Sequence, residues 1–205
     1  MTQKKLHPAP NRYNLQPLLG LRPKEILFLF AIGAAGGMVG DAGNVAAGTT
    51  VYLDESVPFV WKSPLWFPIG VGLGTVAVGL VRVRLGPTRP GFDPRIGVGA
   101  FAAVIAIYAA ISLAGDDGIA AVALIASLAV LVACFVGDRP GMICGLAAAV
   151  VGPAVEIAIV KLDLSEYTAL NDGLFGVGLW LPALYFAFGV AVARITELLV
   201  AARRT

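Results

Sequence analysis

Charge is scarce in this sequence. Asp, Glu, Lys and Arg make up only 14% of its 205 residues, against 58% hydrophobic residues, where soluble globular domains carry about 25% charge. So few charges cannot cover the water-facing surface of a compact chain this size, so much of its apolar surface must meet lipid. Histidine is nearly missing: His7 is the single one, in a proline-flanked N-terminal stretch. Nucleophilic sets of the Ser/His/Asp or Cys/His type therefore lack their base. The two cysteines, Cys134 and Cys144, lie in apolar runs outside any CxxC or Cys/His grouping. They read as buried, reduced thiols, and with one histidine they cannot build a metal centre. No DDxxD arrangement continues the pair Asp116-Asp117, so the twin carboxylate clusters that hold magnesium in diphosphate chemistry are missing. The pair reads as a solvated loop and helix cap. No internal repeat of the inverted-transporter kind is visible. These absences disfavour an enzyme: no catalytic residue, metal or cofactor is expected, and no nucleic-acid partner.

What the chain does have is six long apolar runs, at about 24–44, 64–82, 94–114, 118–136, 140–160 and 173–200. Most are roughly 17–25 residues, enough to cross about 30 Å of hydrocarbon as a helix. The fold class predicted is all-α: a polytopic membrane protein whose six transmembrane helices form one bundle over 23–200, between an N-terminal segment (1–22) and a short tail (201–205). Lys4, Lys5, His7 and three prolines precede the first run, and no small-residue cleavage site follows it, so that run is expected to be a retained span rather than a signal peptide. Its clean apolar part stops early, at Asp41. Continuation through Ala42-Gly43-Asn44 would place Asp41 near the outer interface. Helix punctuation marks the starts: Ser63-Pro64, Asp93-Pro94 and Asp138-Arg139-Pro140 each offer an N-capping oxygen and a first-turn proline.

The cations fix the orientation. Thirteen of the fifteen Lys and Arg residues fall in the N-terminal segment, the second-to-third and fourth-to-fifth connections and the C-terminus; the opposite connections keep Lys62 and Lys161 and gather acids. Six spans put these two sets on opposite sides, with both termini cytosolic by the positive-inside rule. Five or seven spans would scramble them.

Packing signals are present too. Small-xxx-small pairs recur at Gly33/Gly37, Gly36/Gly40, Gly70/Gly74 and Gly141/Gly145, which lets helix backbones approach closely. Pro68, Pro153 and Pro182 are expected to bend spans two, five and six, opening a cavity between helices. Trp61, Trp66 and Trp180 fall near the outer interface, as an aromatic belt would. Glu156 stands out as an ionisable residue at membrane depth, which is costly unless it meets a partner or a polar cavity. Two readings stand: a polar contact in a ligand pocket or proton-coupling site, or a near-interface group reaching Lys161 or water. Asp41 reads similarly, closer to the edge. Asp138 reads as the N-cap of span five beside Arg139, or as a partner contact.

Three local strings, in order on matching spans, give a family resemblance. Trp66-Phe67-Pro68 with Gly74-Thr75 and Gly79-Leu80, the turn Gly137-Asp138-Arg139, and Trp180-Leu181-Pro182 with Tyr185-Phe186 and Gly189-Val190 resemble the corresponding helices and turn of the Insig (insulin-induced gene) family. The resemblance covers roughly residues 20–200 and suggests a bacterial homologue. Glu156 falls where that family tends to carry a glutamine, and Tyr167-Thr168 matches a Tyr-Thr after the same span. Gly137 replaces a phenylalanine, and Ala114-Gly115-Asp116-Asp117 replaces a polar stretch.

The resemblance implies a regulator rather than an enzyme. Animal Insig proteins reside in the endoplasmic reticulum, bind oxysterols and retain partners that carry sterol-sensing membrane domains. The aspartate matching Asp138 is implicated there in partner interaction, and the residue matching Glu156 in the lipid pocket. The expectation for this chain is a non-enzymatic lipid- or sterol-binding membrane protein. It would sit in the bacterial inner membrane, or in the endoplasmic reticulum by family analogy if eukaryotic. An amphipathic lipid, sterol-like or a glycerolipid, would contact Glu156, Asp41, Trp66, Pro153, Trp180 and Tyr185. Asp138 and Arg139 would face a membrane-protein partner, and self-association into a homo-oligomer is a further expectation. The competing readings are a small transporter using Glu156 as a proton relay and a membrane-embedded lipid-modifying enzyme. Both gain if Asp41 and Glu156 point into one cavity.

Overall fold

Each apolar run becomes a helix, in antiparallel succession. The computed structural model describes residues 20–53, 58–89, 93–114, 118–168 and 171–204; His7 and Asp116-Asp117 lie outside them. The elements in chain order are α1 (Pro23–Ala46), β1 (Thr50–Tyr52), β2 (Phe59–Val60), β3 (Ser63–Pro64), α2 (Trp66–Arg84), α3 (Pro94–Ala114), α4 (Gly118–Val136), α5 (Arg139–Lys161), β4 (Ser165–Tyr167) and α6 (Leu181–Ala201). All six helices contain a stretch long and apolar enough to cross a membrane.

α6 is the hub. It packs against α5, α4, α3 and α2, while α1 closes on α2 and α3. Two-thirds of its apolar window is buried inside the protein, against 22% for α4. Small residues allow this: a Cβ on Gly189 would meet the Cys144 carbonyl at 2.7 Å, so only glycine lets α6 and α5 come this close. The α1 glycines act alike. Side chains at Gly33 and Gly37 would strike Thr75 and Val71 of α2, and at Gly40 the Tyr108 ring. Gly70 and Gly74 behave differently from expectation. Nothing lies within 4 Å of a Cβ built on either, because they face an open cavity rather than a neighbouring helix.

Two short sheets fold over the arginine-poor end. β1 pairs antiparallel with β4, Thr50 opposite Tyr167 and Tyr52 opposite Ser165. β2 pairs with β3. The first ladder ties the α1–α2 connection to the α5–α6 connection and turns Tyr52 and Tyr167 toward the same interior.

Several local expectations change. The sixth helix begins at Leu181, not near residue 173: positive φ at Phe175 (54°) and Gly176 (94°) and a Leu174–Val177 bridge hold that stretch in turns. Consequently Pro182 sits in the first turn of α6, as Pro68 does in α2, where the missing N–H costs no intrahelical bond. Pro153 is the one proline inside a helix among these three. Ser63 does not cap α2. It pairs in β3, and its hydroxyl is used elsewhere. Of the three tryptophans only Trp61 stands exposed, whereas Trp180 is buried with its indole N–H donating to Asn171 Oδ1 at 3.3 Å. Cys144 is buried as expected, but Cys134 lies on the outer surface of α4.

Candidate functional site: an acidic pocket above an apolar cavity

Under the β1–β4 ladder lies a small polar pocket of about 20 Å³. Its walls bring together Asp41 and Asn44 of α1, Tyr52 of β1, Trp66 and Phe67 of α2, Tyr108 of α3, Glu156 of α5, Tyr167 of β4, and Trp180 and Tyr185 at the start of α6. Asp41 and Glu156 thus face one space, 3% and 8% exposed. Asp41 reaches it because α1 runs on to Ala46, which buries the carboxylate instead of leaving it at the interface. It accepts hydrogen bonds from the Ser63 and Tyr52 hydroxyls. Glu156 accepts from Tyr185 at 2.7 Å and from Tyr167 at 3.3 Å. Burial, and then the facing Asp41 carboxylate, pushes the Tyr52 hydroxyl far above the ordinary phenol range. Burial and then Glu156 do the same to Tyr167. Both phenols therefore stay protonated as donors throughout the physiological pH range. The rings also brace one another, Tyr52 standing edge-on to Trp66 with centroids 5.7 Å apart.

Next to this pocket an apolar cavity of about 430 Å³ runs between α2 and α5 over a floor of α6 side chains. Gly70, Gly74, Ala77, Val78 and Val81 line one wall, and Ala147, Val151, Val155 and Ile159 the other. Many of these rim residues are exposed, Val151 to 60% and Val155 to 51%, so the cavity opens sideways, where the bilayer lies. The pocket and the cavity share Trp66, Phe67, Tyr108, Glu156, Leu184 and Tyr185. The arrangement has amphipathic form: an acidic, aromatic end continuous with an apolar slot. Among the described residues no three His, Cys, Asp or Glu side chains gather as a metal site.

At the arginine-rich end, Arg82 of α2 is fully buried. It donates to Glu197 of α6, and to Asp138 Oδ2 at the start of α5 at 3.3 Å. Glu197 also receives Arg89 Nε at 2.9 Å and Arg194 Nη1 at 2.8 Å. Four ion pairs with Arg82 and Arg89 thus stitch α2, the following connection, α5 and α6 together below the cavity. A separate pair, Arg203 with Glu25, joins the end of α6 to the start of α1.

No family model matches the chain. It is, however, 45% identical over 184 residues to an INSIG protein homolog of Mycolicibacterium vanbaalenii, covering 89% of this chain and 90% of that one. The crystal structure of a mycobacterial Insig homolog, MvINS from Mycobacterium vanbaalenii, superposes with a TM-score of 0.87 at 44% identity, over 89% of this chain and 97% of that one. The chain belongs to the Insig family. A cross-linked trimer of a cysteine variant of MvINS matches equally, with a TM-score of 0.86 at 43% identity over 90% of this chain and 98% of that one. This Insig protein is accordingly an integral membrane protein built as a six-helix bundle.

Within this Insig bundle, Glu156, Asp41, Trp66, Trp180 and Tyr185 come together at the acidic pocket. Pro153 does not: it is buried in α5 but lines neither space. Asp138 caps α5, its Oδ1 accepting from Gly141 N at 2.7 Å, and its other oxygen is engaged by Arg82. Arg139 is exposed beside it. Tyr52 and Tyr108 carry no mark in the sequence, and Ser63 and Asn44 read there only as helix-end residues; the short sheets and close helix approach bring all four inward. Sequence reasoning passed over Glu197, although an acid in the closing turns of a membrane helix is disfavoured by the helix dipole and so signals a buried cation.

Proposed function

We propose that this Insig protein binds an amphipathic membrane lipid, sterol-like or a glycerolipid, without catalysis. The lipid enters from the bilayer between α2 and α5, leaves its tail in the apolar slot and presents its head to Glu156 and Asp41. The observation that carries the reading is the continuity of a laterally open apolar cavity of about 430 Å³ with a pocket holding two buried carboxylates. The slot has the size and lining of small-molecule sites. A lipid that spreads or draws together α2 and α5 biases association with a membrane-protein partner if the two states bind it unequally. Asp138 and Arg139 at the start of α5 are the face proposed for that partner. Self-association is proposed as well, and the cross-linked MvINS trimer supports it. The membrane proposed is the bacterial inner membrane.

Lipid analysis of the purified protein tests this reading. Wild type retains a stoichiometric lipid. Gly74→Phe, whose ring grows into open space, folds but loses it. Equal lipid content in both would contradict the reading. The presence of Asp41 and Glu156 in one pocket also favours both competing readings, the lipid-modifying enzyme and the proton-coupled transporter. Proteoliposomes test the transporter: pH-driven substrate flux that Glu156→Gln abolishes belongs to a transporter, and none is expected of a lipid-binding protein.

A further inference from the structure

The acidic pocket is rich in acceptors and poor in positive charge. Two carboxylates line it, and among the described residues no Lys, Arg or His does. The hydroxyls of Ser63, Tyr52, Tyr185 and Tyr167 hydrogen-bond the carboxylates without neutralising them. A separate observation points the same way. Asn44 lines the pocket, is 6% exposed, and its Oδ1 is buried with no hydrogen-bond partner. A buried acceptor left unmade is costly and calls for a donor. Aromatic faces surround the space, and these attract cations. Its volume of about 20 Å³ suits one small head atom with its hydrogens and is too little for a quaternary ammonium.

We propose that this pocket selects a lipid whose head is a primary ammonium group: its N–H donors meet Asn44 Oδ1 and the two carboxyl groups, and its single positive charge offsets one carboxylate. A head that ends in a phosphate or carboxylate would bring negative charge against two buried carboxyl groups and is rejected. The proposal rests on the lipid-binding reading above and adds the chemistry of the head.

Three probes with one tail test it: hexadecylamine, hexadecanol and hexadecanoate, each titrated into the full chain in zwitterionic nanodiscs and read by native mass spectrometry. The amine binds at least about tenfold tighter than the alcohol, a difference of about 1.4 kcal/mol, and the acid binds more weakly than the alcohol. In D41N/E156Q the amine-to-alcohol ratio falls toward one, and Asn44→Leu lowers it in part. The wild-type ratio is decisive even where a variant misfolds. Alcohol or acid binding as tightly as amine overturns the head-group assignment alone, whereas failure of all three to bind overturns the lipid-binding reading beneath it.

Discussion

Glu156 lies at membrane depth because it is hydrogen-bonded on both oxygens. Tyr185 is the nearer donor, at 2.7 Å. Tyr185→Phe leaves Glu156 with Tyr167 alone and should cost about 0.5–3 kcal/mol, the span from a neutral to a charged hydrogen bond. A lowered melting temperature in detergent, larger than that for Tyr167→Phe, is the expected reading. At the other end, Arg82 shows the same logic more strongly. Removing it leaves Glu197 to Arg89 and Arg194 and takes from Asp138 its α2 contact, so Arg82→Leu should destabilise by about 1–3 kcal/mol. Arg82→Lys should recover only part of the loss, because its shorter side chain must reach both carboxylates that Arg82 holds from the single Nη2 nitrogen. Legibility in the sequence followed chemical rarity. Glu156 stood out because an acid in the middle of an apolar run is rare. Arg82 did not, because an arginine at the end of a span looks like an ordinary interfacial anchor.

At the scale of helices, glycine patterns mark two different things. Gly33 and Gly37 admit α2 to close contact, while Gly70 and Gly74 on the facing helix border empty space. Periodicity is the same in both pairs, so spacing could not separate a packing seam from a cavity wall. Gly33→Val should therefore abolish folding or lower the melting temperature steeply, as overpacking of a tight seam does. Gly74→Val should leave it nearly unchanged, and parallel thermal unfolding of the two variants checks the contrast. Helix existence was legible from hydropathy throughout. The start of α6 was not: Leu174 to Leu179 are apolar enough to continue the run, and only backbone turns with positive φ at Phe175 and Gly176 stop the helix. The β1–β4 ladder, which pairs segments more than a hundred residues apart, has no local signal, and with it Tyr52 stayed hidden.

The whole molecule is organised by its two unlike ends. Arginines and their acids knit α1, α2, α5 and α6 at one end, and tyrosines with two buried carboxyl groups occupy the other. Charge placement in the sequence foretold this polarity because interfacial cations must stay where water is. In a variant lacking native cysteines, Lys62→Cys should react with a membrane-impermeant maleimide added to intact cells, and Arg139→Cys should react only after lysis; the reverse pattern would invert the topology. Between the two ends, α2 and α5 stand apart and leave the slot to which a lipid function is assigned. Photo-crosslinking tests that claim most directly. With a diazirine-tailed lipid, label is predicted at Val78, Val151 and Val155 on the slot walls, reduced by Gly74→Phe and saturable by unlabelled lipid. Label spread evenly over exposed residues such as Val130 and Phe135 of α4, without saturation, would contradict it.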